Sequence, residues 1–525
     1  MQTRATGRTW AVATPHTLAT EAAAIAFERG GNALDAALGA ATTLAVVYPH
    51  MCGVGGDLFA LVQHPAGDVV AINASGRAPA GADAEVAAAA GGGVMPEHGP
   101  LSVTVPGAVS GWEALHRQGA NLPWGDAFTA AIAYAHGGVQ AAPSLVETIG
   151  EDVPRLRADP GLAGVFYPDG EAAAVRTPIR QPALGATLQA IAEQGPQVWY
   201  GGEVGARYVR GLAALGVPID LADMAGHRAD LGAPLRARFG DVDVLVHPPN
   251  SQGFVLLEGL SVLDRLGLDP DPLGPDAGVL AHVLRAAARD RDRHLADADR
   301  MRVHPSTLLD DGHLGAVADE VRAGVPGAPP GLAHRSGDTI ALVTADAEGR
   351  AVSLIQSLYD GFGSGLMEPD TGVVAQNRGA CFTLEPGHPN RLEAGARPAH
   401  TLMPVVVQRE GRLEAVAGTM GGSAQPQIVA MALLRAFRLG MHPAEAVSAP
   451  RWLVGGMSPE GAAPEAIAEA DVPASAIAAL KAAGYRVDTV GERDGSVGHA
   501  HMIRAVPGGL DAGSDPRADG GAMAS

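Results

Sequence analysis

The first clear pattern along the chain is a helical one. Apolar residues recur at helical spacing over residues 17–47 and are interrupted by Gly30-Gly31-Asn32. Because glycines break helices and Asn32 is a good N-cap, this pattern predicts two consecutive helices. Residues 48–57 then hold three glycines in four positions and lead into the apolar run 58–62. That order predicts a tight loop entering a strand.

The middle of the chain alternates between weak and strong patterns. Residues 80–100 are rich in Ala and Gly and predict little regular structure, and residues 150–235 alternate helical runs with Pro-containing turns. Residues 278–300 predict one long amphipathic helix whose charged face is exposed to solvent, with some charges spaced for ion pairs. That face carries Arg285, Arg289, Asp292, Arg293 and Asp297.

The pattern changes to that of strands near residue 338. Residues 305–337 are rich in Gly, Pro and Asp, after which two apolar runs, 339–345 and 350–357, flank a polar turn. This arrangement predicts a β-hairpin. Further strands are expected at 402–408 and 413–416, and a helix at 425–439. The change near 338 divides the chain into residues 1–338 and 339–525.

Composition narrows the class of protein. Hydrophobic residues make up 47% of the 525 residues and charged residues 18%, which predicts a large globular core and excludes a disordered chain. The net charge of −20 disfavours nucleic acid as a partner. No apolar stretch reaches membrane-spanning length and no signal peptide is evident, so we expect a cytoplasmic protein without membrane contact. Two cysteines, Cys52 and Cys381, are too few for a disulfide framework and are expected to be reduced.

Short motifs spread over nearly the whole chain occur in the order found in one known family. They are Thr14-Pro15-His16, Gly30-Gly31-Asn32-Ala33-Leu34-Asp35-Ala36-Ala37, Gly53-Val54-Gly55-Gly56, Thr104-Val105-Pro106-Gly107-Ala108-Val109-Ser110-Gly111-Trp112, Pro248-Pro249-Asn250-Ser251-Gln252-Gly253, Asp338-Thr339, Gly363-Ser364-Gly365, Arg397-Pro398, Gly421-Gly422-Ser423 and Gly513-Ser514-Asp515-Pro516-Arg517. In these motifs the chain resembles the gamma-glutamyltransferases, N-terminal-nucleophile hydrolases that are made as one chain and cleave themselves into two. The resemblance implies an α/β (α+β) fold, a four-layer αββα sandwich.

Thr339 is the candidate nucleophile. A threonine hydroxyl needs a base beside it, and the freed α-amine of the same residue, with a pKa near 7.7–8.0, can take its proton once the chain is cut. Gly337-Asp338-Thr339 lies between a Gly/Pro/Asp-rich segment and a strand, so a cut end can move away while Thr339 stays in a sheet. By itself the local sequence favours a threonine that starts an ordinary strand, and the surrounding family motifs reverse that preference. The resemblance implies that 1–338 and 339–525 become a large and a small subunit that share one core.

Three further residues receive catalytic roles through the resemblance. Gly421 and Gly422 stand where the family places the backbone N–H groups that stabilise the oxyanion, although a glycine pair also forms ordinary turns. Ser357, eighteen residues after Thr339, stands where the family has a hydroxyl that bonds to the nucleophile and assists cleavage.

The substrate pocket departs from the family pattern. Members that bind glutamate hold its α-carboxylate with an arginine just before Ala-Pro, whereas here Arg77 lies about two positions later and Ser75 occupies the matching site. Cys381 stands where the family has the aspartate that binds the α-ammonium, and Arg378 replaces the neighbouring glutamine. Tyr359 replaces the hairpin asparagine. His400-Thr401 replace paired serines.

These replacements shape the expected activity. An amino-acid head needs an anionic group in the pocket, and the aligned positions supply none, whereas Arg77, Arg378 and His400 offer cationic or donor groups to an acid. The pocket therefore resembles that of the oxamate amidohydrolase and cephalosporin acylase relatives. We expect a self-cleaving amidohydrolase or acyltransferase for gamma-glutamyl, glutathione-type or related acidic amides, with water or an amine as acceptor. An oxamate-type or acylase-like enzyme without gamma-glutamyl specificity is the alternative, and an uncleaved, non-catalytic homologue is a further one.

Other ligands are not indicated. His499 and His501 alternate onto one face of a strand with no third ligand evident, and the glycine loop 53–56 lacks the residues of a phosphate loop. We therefore expect no metal and no cofactor. The expected partners are a small-molecule amide and the chain's own two subunits, and the resemblance is compatible with a homodimer of the cleaved pair.

Overall fold

The structure, a computed structural model, describes residues 2–324, 338–455 and 465–525. Most strands form two seven-stranded antiparallel sheets. The strands are β1 (Arg4–Gly7), β2 (Trp10–Thr14), β3 (Asp57–Gln63), β4 (Val69–Ala74), β5 (Val139–Gln140), β6 (Pro178–Ile179), β7 (Asp230–Gly232), β8 (Leu235–Phe239), β9 (Val242–Val246), β10 (Asp338–Asp346), β11 (Ala351–Tyr359), β12 (Met367–Glu368), β13 (Val373–Val374), β14 (Val405–Arg409), β15 (Arg412–Thr419), β16 (Trp452–Val454), β17 (Glu465–Glu469), β18 (Arg486–Val490), β19 (Ala500–Val506), β20 (Gly509–Ser514) and β21 (Gly521–Ala524).

Helices cover the outer faces of the two sheets. They are α1 (Thr17–Glu28), α2 (Ala33–Val47), α3 (Ala84–Gly91), α4 (Ala108–Arg117), α5 (Thr129–Gly137), α6 (Pro143–Glu151), α7 (Val153–Ala158), α8 (Pro160–Phe166), α9 (Pro182–Gln194), α10 (Gln197–Tyr200), α11 (Glu203–Ala214), α12 (Leu221–Gly226), α13 (Gly253–Leu266), α14 (Ala277–His294), α15 (Pro305–Leu308), α16 (Asp311–Arg322), α17 (Gln425–Leu433), α18 (Pro443–Ser448) and α19 (Ala474–Ala482). In the described chain, no helix has the length and apolar character to span a bilayer.

The architecture is the four-layer αββα sandwich that the sequence predicts. One sheet has the order β21-β2-β10-β11-β3-β4-β7 and the other β1-β20-β19-β15-β14-β9-β8. The sheets meet closely where Gly418 of β15 faces Ala341 of β10, since a Cβ on Gly418 would lie 3.2 Å from the Ala341 Cβ. Helices α1 and α2 bury an apolar face against the first sheet, and α13, α14 and α17 do so against the second. Both sheets contain strands from before and after residue 338.

Several predicted elements are confirmed. The two N-terminal helices are α1 and α2, and Asn32 caps α2 by accepting from the N–H groups of Leu34 and Asp35. The predicted hairpin is β10 and β11, paired in antiparallel register across the turn that follows Asp346. The helix expected at 425–439 is α17, which continues as a π-helical turn, Leu434–Arg438.

Other predictions are wrong. Residues 80–100 contain helix α3. Residues 305–324, for which no element was predicted, contain α15 and α16, and residues 325–337, including Gly337, lie outside the described chain. The charged face of α14 is largely buried rather than exposed, because α13, α16 and α19 pack around that helix. Arg285 is 4% exposed and Arg291 is 8% exposed, whereas Arg293 does reach solvent. Asp297 lies beyond the helix, which ends at His294.

Candidate active site

The candidate nucleophile lies at the start of β10, in contact with the return strand of its hairpin. Thr339 is 1% exposed, and its Oγ1 donates a hydrogen bond to Ser357 Oγ at 3.0 Å. The register shifts here, so that Ser357 and Leu358 of β11 both oppose Thr339. Such bulges re-aim side chains near active sites. The hairpin thus brings together two hydroxyls that are eighteen residues apart in sequence.

Ser357 connects the nucleophile to the peptide bond before it. Its hydroxyl donates to the carbonyl oxygen of Asp338 at 2.8 Å and accepts from the Tyr359 N–H at 2.8 Å. A hydroxyl has one proton and two lone pairs, so Thr339 and Tyr359 fill the acceptor positions. The serine therefore polarises the Asp338 carbonyl while it receives the threonine proton.

Arg378 lies directly behind this pair. It is fully buried at the start of a short 3₁₀ turn, Arg378–Cys381, and its guanidinium stacks 4.4 Å from the ring centre of Tyr359. One nitrogen approaches Ser357 Oγ at 3.4 Å, and another donates to Thr401 Oγ1 at 3.1 Å and lies 3.6 Å from Cys381 Sγ. Its Nε has no hydrogen-bond partner among the described residues.

No direct ion pair within the described residues neutralises the charge of Arg378. No carboxylate of the described residues forms an ion pair with it, and its direct partners are hydroxyls and a thiol. Its positive charge does lower the pKa of Asp57, although burial is the larger effect and raises that pKa. A buried guanidinium without a carboxylate partner is costly, and it is a strong receptor for an acidic ligand.

A cavity of about 600 Å³ opens beside Arg378. Four of the predicted substrate-binding residues line it, and they are Tyr359, Cys381, His400 and Thr401. Tyr359 ends β11 at a φ of 86°, in the left-handed region that costs energy for a bulky residue. This conformation directs the chain away from the sheet beside the nucleophile. The structure therefore places Arg378 and Tyr359 between the nucleophile and the cavity.

The predicted oxyanion loop is fixed by two residues that sequence reasoning missed. Gly421 and Gly422 follow β15 at φ values of 141° and 51°, which favour glycine. Gln252 donates to the carbonyl of Gly422 at 3.0 Å and to that of Thr401 at 2.7 Å. Arg291 donates to Gln252 Oε1 at 3.2 Å and to the carbonyl of Ser423 at 2.8 Å. Gln252 belongs to the family motif at residues 248–253, but only the fold reveals its hydrogen-bond partners.

Arg77 does not reach the cavity beside Arg378. Its guanidinium pairs with Asp297 at 3.2 Å and donates to the Gly395 carbonyl at 3.0 Å. It lines two other depressions, together with Asp230 and Arg397. Ser75, at the site that aligns with the family arginine, is buried and donates to Asn73 Oδ1 at 2.7 Å.

His400 lines the cavity, but both of its ring nitrogens are engaged. Nε2 lies 3.1 Å from Asp57 Oδ2, and Nδ1 accepts from the Leu402 N–H at 3.3 Å. Burial is the main cause that lowers the pKa of His400, so the ring is neutral at pH 7. The ring therefore has no N–H left over for a substrate carboxylate, which differs from the sequence expectation.

The cavity wall also contains two acids that the aligned positions did not reveal. Asp292 is largely buried and bonds to the Arg291 Nε at 2.8 Å, whereas Glu385 is exposed at the rim. Neither lies on the Arg378 turn. Both cysteines are free thiols.

The family model described as Gamma-glutamyltranspeptidase matches residues 19–525. The chain belongs to the gamma-glutamyltranspeptidase family.

Relatives within the gamma-glutamyltranspeptidase family match along their full length. The chain is 37% identical over 519 residues to the oxamate amidohydrolase proenzyme of Klebsiella pneumoniae, covering 97% of each sequence. It is 35% identical over 520 residues to the glutathione hydrolase-like YwrD proenzyme of Bacillus subtilis, covering 98% of each. The crystal structure of cephalosporin acylase from Bacillus halodurans superposes with a TM-score of 0.90 at 30% identity, covering 100% of this chain and 97% of that one. The relatives that the chain resembles are thus named as an amidohydrolase, an acylase and a glutathione hydrolase-like protein.

Proposed function

We propose that this protein is a proenzyme that cuts itself between Asp338 and Thr339 and then hydrolyses amides of small acidic acyl groups that lack an α-ammonium, oxamate being the type. The observation that carries the proposal is the buried guanidinium of Arg378, which contacts Ser357 and has no carboxylate partner in the described chain. The name of the Klebsiella relative supports the same substrate class. Cleavage would yield subunits 1–338 and 339–525.

Self-cleavage follows from the hydrogen bonds at the hairpin. Thr339 Oγ attacks the Asp338 carbonyl carbon as its proton passes to Ser357, and Ser357 passes its own proton to the Asp338 carbonyl oxygen that it already contacts. That proton then moves to the Thr339 nitrogen as this nitrogen leaves the tetrahedral carbon. The C–N bond of the peptide then breaks, so that an ester replaces the amide and the Thr339 nitrogen becomes a free amine. Water hydrolyses the ester, which leaves a carboxylate on Asp338 and restores the Thr339 hydroxyl.

Amide hydrolysis then uses the new amine as the base. The amine of Thr339 takes the hydroxyl proton as Oγ attacks the substrate carbonyl, and returns it to the leaving nitrogen. The positive charge of Arg378 disfavours a second cation nearby and so favours the neutral, basic amine. Gly421 and Gly422 would donate N–H groups to the oxyanion, and water would release the acid.

Acyl selectivity follows from charge. A carboxylate on the acyl group can accept hydrogen bonds from Arg378, whose Nε lacks a partner in the described chain. An α-ammonium in the same place would meet a guanidinium and a thiol. A gamma-glutamyl amide is the second candidate, because Glu385 at the cavity rim and Asp292 in its wall are the acids that could bind an ammonium.

Two measurements test this proposal. Intact mass of the purified protein should show two fragments, the smaller beginning at Thr339, whereas Thr339→Ala should stay one chain. Wild-type enzyme should release ammonia from oxamate. It should also release p-nitroaniline from glutaryl p-nitroanilide faster than from gamma-glutamyl p-nitroanilide. A full-length, active wild type would refute the mechanism, and preferred turnover of the gamma-glutamyl compound would assign the second candidate.

A further inference from the structure

A cluster of metal-ligand side chains lies where three helices meet. Glu258 of α13, Asp290 of α14 and His313 of α16 each place one potential ligand atom within 4.8 Å of the others. None of the three lines the cavity beside Arg378. The cluster is therefore distinct from the proposed catalytic site.

The spacing of these atoms suits a small cation. His313 Nε2 lies 3.4 Å from Glu258 Oε1 and 3.0 Å from Asp290 Oδ2. Zinc binds nitrogen and carboxylate oxygen at about 2.0–2.2 Å, so two ligands of a tetrahedral site are about 3.3 Å apart. The observed separations bracket that value. The ligand atoms of Glu258 and Asp290 also lie within 4.8 Å of each other, so a single ion can contact all three once these side chains close around it.

The Glu258 carboxylate also has a second oxygen that is buried without a donor in the described chain. Glu258 is 0% exposed, and its Oε2 has no hydrogen-bond partner among the described residues. A buried carboxyl oxygen without a donor is costly unless a proton or a cation meets it. His313 is 26% exposed in its side chain and provides a path from solvent.

We propose that Glu258, Asp290 and His313 bind one divalent transition-metal ion of the zinc type, with water as the fourth ligand. One imidazole and two carboxylates are a ligand set that zinc accepts. Arg289 and Arg293 lie 3.6 Å and 4.0 Å from Asp290 Oδ1, the oxygen that does not face His313. They orient the carboxylate from behind, as partners of metal ligands commonly do.

The bound ion would hold together the helices that support the glycine loop. Helix α13 begins directly after Gln252, which bonds to Gly422, and Asp290 directly precedes Arg291, which bonds to Gln252 and to the Ser423 carbonyl. An ion joining α13, α14 and α16 would therefore fix two of the residues that position this loop. We infer a structural role for the ion.

Direct binding tests the site without relying on activity. Tag-free full-length protein, stripped with chelator and dialysed, is titrated with Zn²⁺ by calorimetry. One ion per chain is expected, with a rise in Tm of about 3–5 °C at saturation. Co²⁺ should give the visible absorption of a four-coordinate site. His313→Ala should weaken Zn²⁺ binding at least about 100-fold and abolish the Co²⁺ spectrum.

Variants separate this site from adventitious binding. Asp319→Asn, on the exposed side of α16 and paired with Arg322 at 2.8 Å, should bind Zn²⁺ as the wild type does. Glu258→Gln is a second variant that changes a proposed ligand. If it does not fold, His313→Ala still tests the site. Absence of stoichiometric Zn²⁺ binding, or equal binding by His313→Ala, would overturn the proposed site. Tighter binding of Ca²⁺ or Mg²⁺ than of Zn²⁺ would also overturn the assignment.

Discussion

Arg378 and Arg77 lie in two polar regions of the molecule that differ in how their charges are balanced. Around Arg77, cations meet anions: Arg77 pairs with Asp297, and Arg397 pairs with Asp230. Around Arg378, hydroxyl groups and a thiol take the place of carboxylates. The difference teaches that an arginine near the expected alignment position can form structural ion pairs, whereas an arginine at an unexpected position can lie beside the candidate nucleophile without one in the described chain.

The acid beside the nucleophile follows the same contrast. Burial raises the pKa of Asp338 to about 8, with the nearby carboxylates of Asp360 and Glu151 adding to the effect, so its carboxyl is protonated at pH 7. Asp297 instead accepts from Arg77 and from the backbone N–H of Arg397. The region of the candidate nucleophile thus holds a cation without a direct ion pair in the described chain and an acid that is neutral at pH 7.

The sharpest test of the contrast is Arg378→Gln. If Arg378 binds the acyl carboxylate, the variant should lose about 2–4 kcal/mol of transition-state binding, or about 30–1000-fold in kcat/KM for glutaryl p-nitroanilide. The kcat/KM of Arg378→Lys should lie between those of wild type and Arg378→Gln, because lysine keeps the positive charge but cannot form the two parallel hydrogen bonds of a guanidinium. Intact mass should still show cleavage, since Thr339 and the Tyr359 N–H hold Ser357. An equal loss on a neutral acyl anilide would show that the residue is only structural.

Cys381→Asp should give Arg378 a carboxylate partner, as Arg77 already has in Asp297. Since Cys381 Sγ lies 3.6 Å from the guanidinium, the new acid would pair with it. We expect about a tenfold loss of kcat/KM on the glutaryl amide and a similar gain on gamma-glutamyl p-nitroanilide. Cys381→Ser is the matched control and should leave the preference unchanged. If Cys381→Asp leaves the ratio of kcat/KM for the glutaryl and gamma-glutamyl amides unchanged, residue 381 does not determine acyl selectivity.

Asp338 should make the free energy of unfolding of the uncleaved Thr339→Ala chain depend on pH. Its folded pKa of about 8 lies above the ordinary value near 3.9, so the unfolded chain loses this proton first. The contribution of Asp338 to stability should therefore be fully present below about pH 4, decline as pH rises towards 8 and level off above it. Urea midpoints at pH 5, 6, 7 and 8 measure this. Adding Asp338→Asn should flatten the decline, and an unchanged slope would contradict the assignment.

The smallest effect is expected for Arg77→Gln. Its side chain is 43% exposed and its ion pair with Asp297 is partly screened, so unfolding should change by at most about 1 kcal/mol. The kcat/KM for the glutaryl amide should stay within about twofold of wild type. A loss as large as that of Arg378→Gln would reverse the comparison and return the carboxylate-binding role to Arg77.

Contacts that are local in sequence were predictable from it. The pairing of Thr339 with Ser357 follows from a hairpin whose turn lies midway between them, and the capping of α2 by Asn32 follows from adjacent residues. The helices that were missed also carry local signals, because Asp83 caps α3 and Asp310 caps α16. The Ala/Gly and Pro/Asp composition of those segments obscured these caps.

Contacts that depend on the whole fold were not predictable. A helical period shows that one face of α14 is charged, but it does not show which elements cover that face, so the burial of Asp290 and Arg291 was missed. The link from Arg291 through Gln252 to Gly422 joins three separate segments. Likewise, only the fold shows that Asp57 and Leu402 engage both nitrogens of His400.

The interleaving of strands in both sheets has a consequence for the cleaved protein. In the first sheet, β10 and β11 lie between β2 and β3, and in the second, β9 lies beside β14. Two fragments joined in this way cannot separate without breaking backbone hydrogen bonds in both layers, so they should melt together in one transition. Once separated by denaturant, however, they must meet again by diffusion. Refolding of the cleaved form should therefore slow as the protein is diluted, whereas refolding of the Thr339→Ala chain should not.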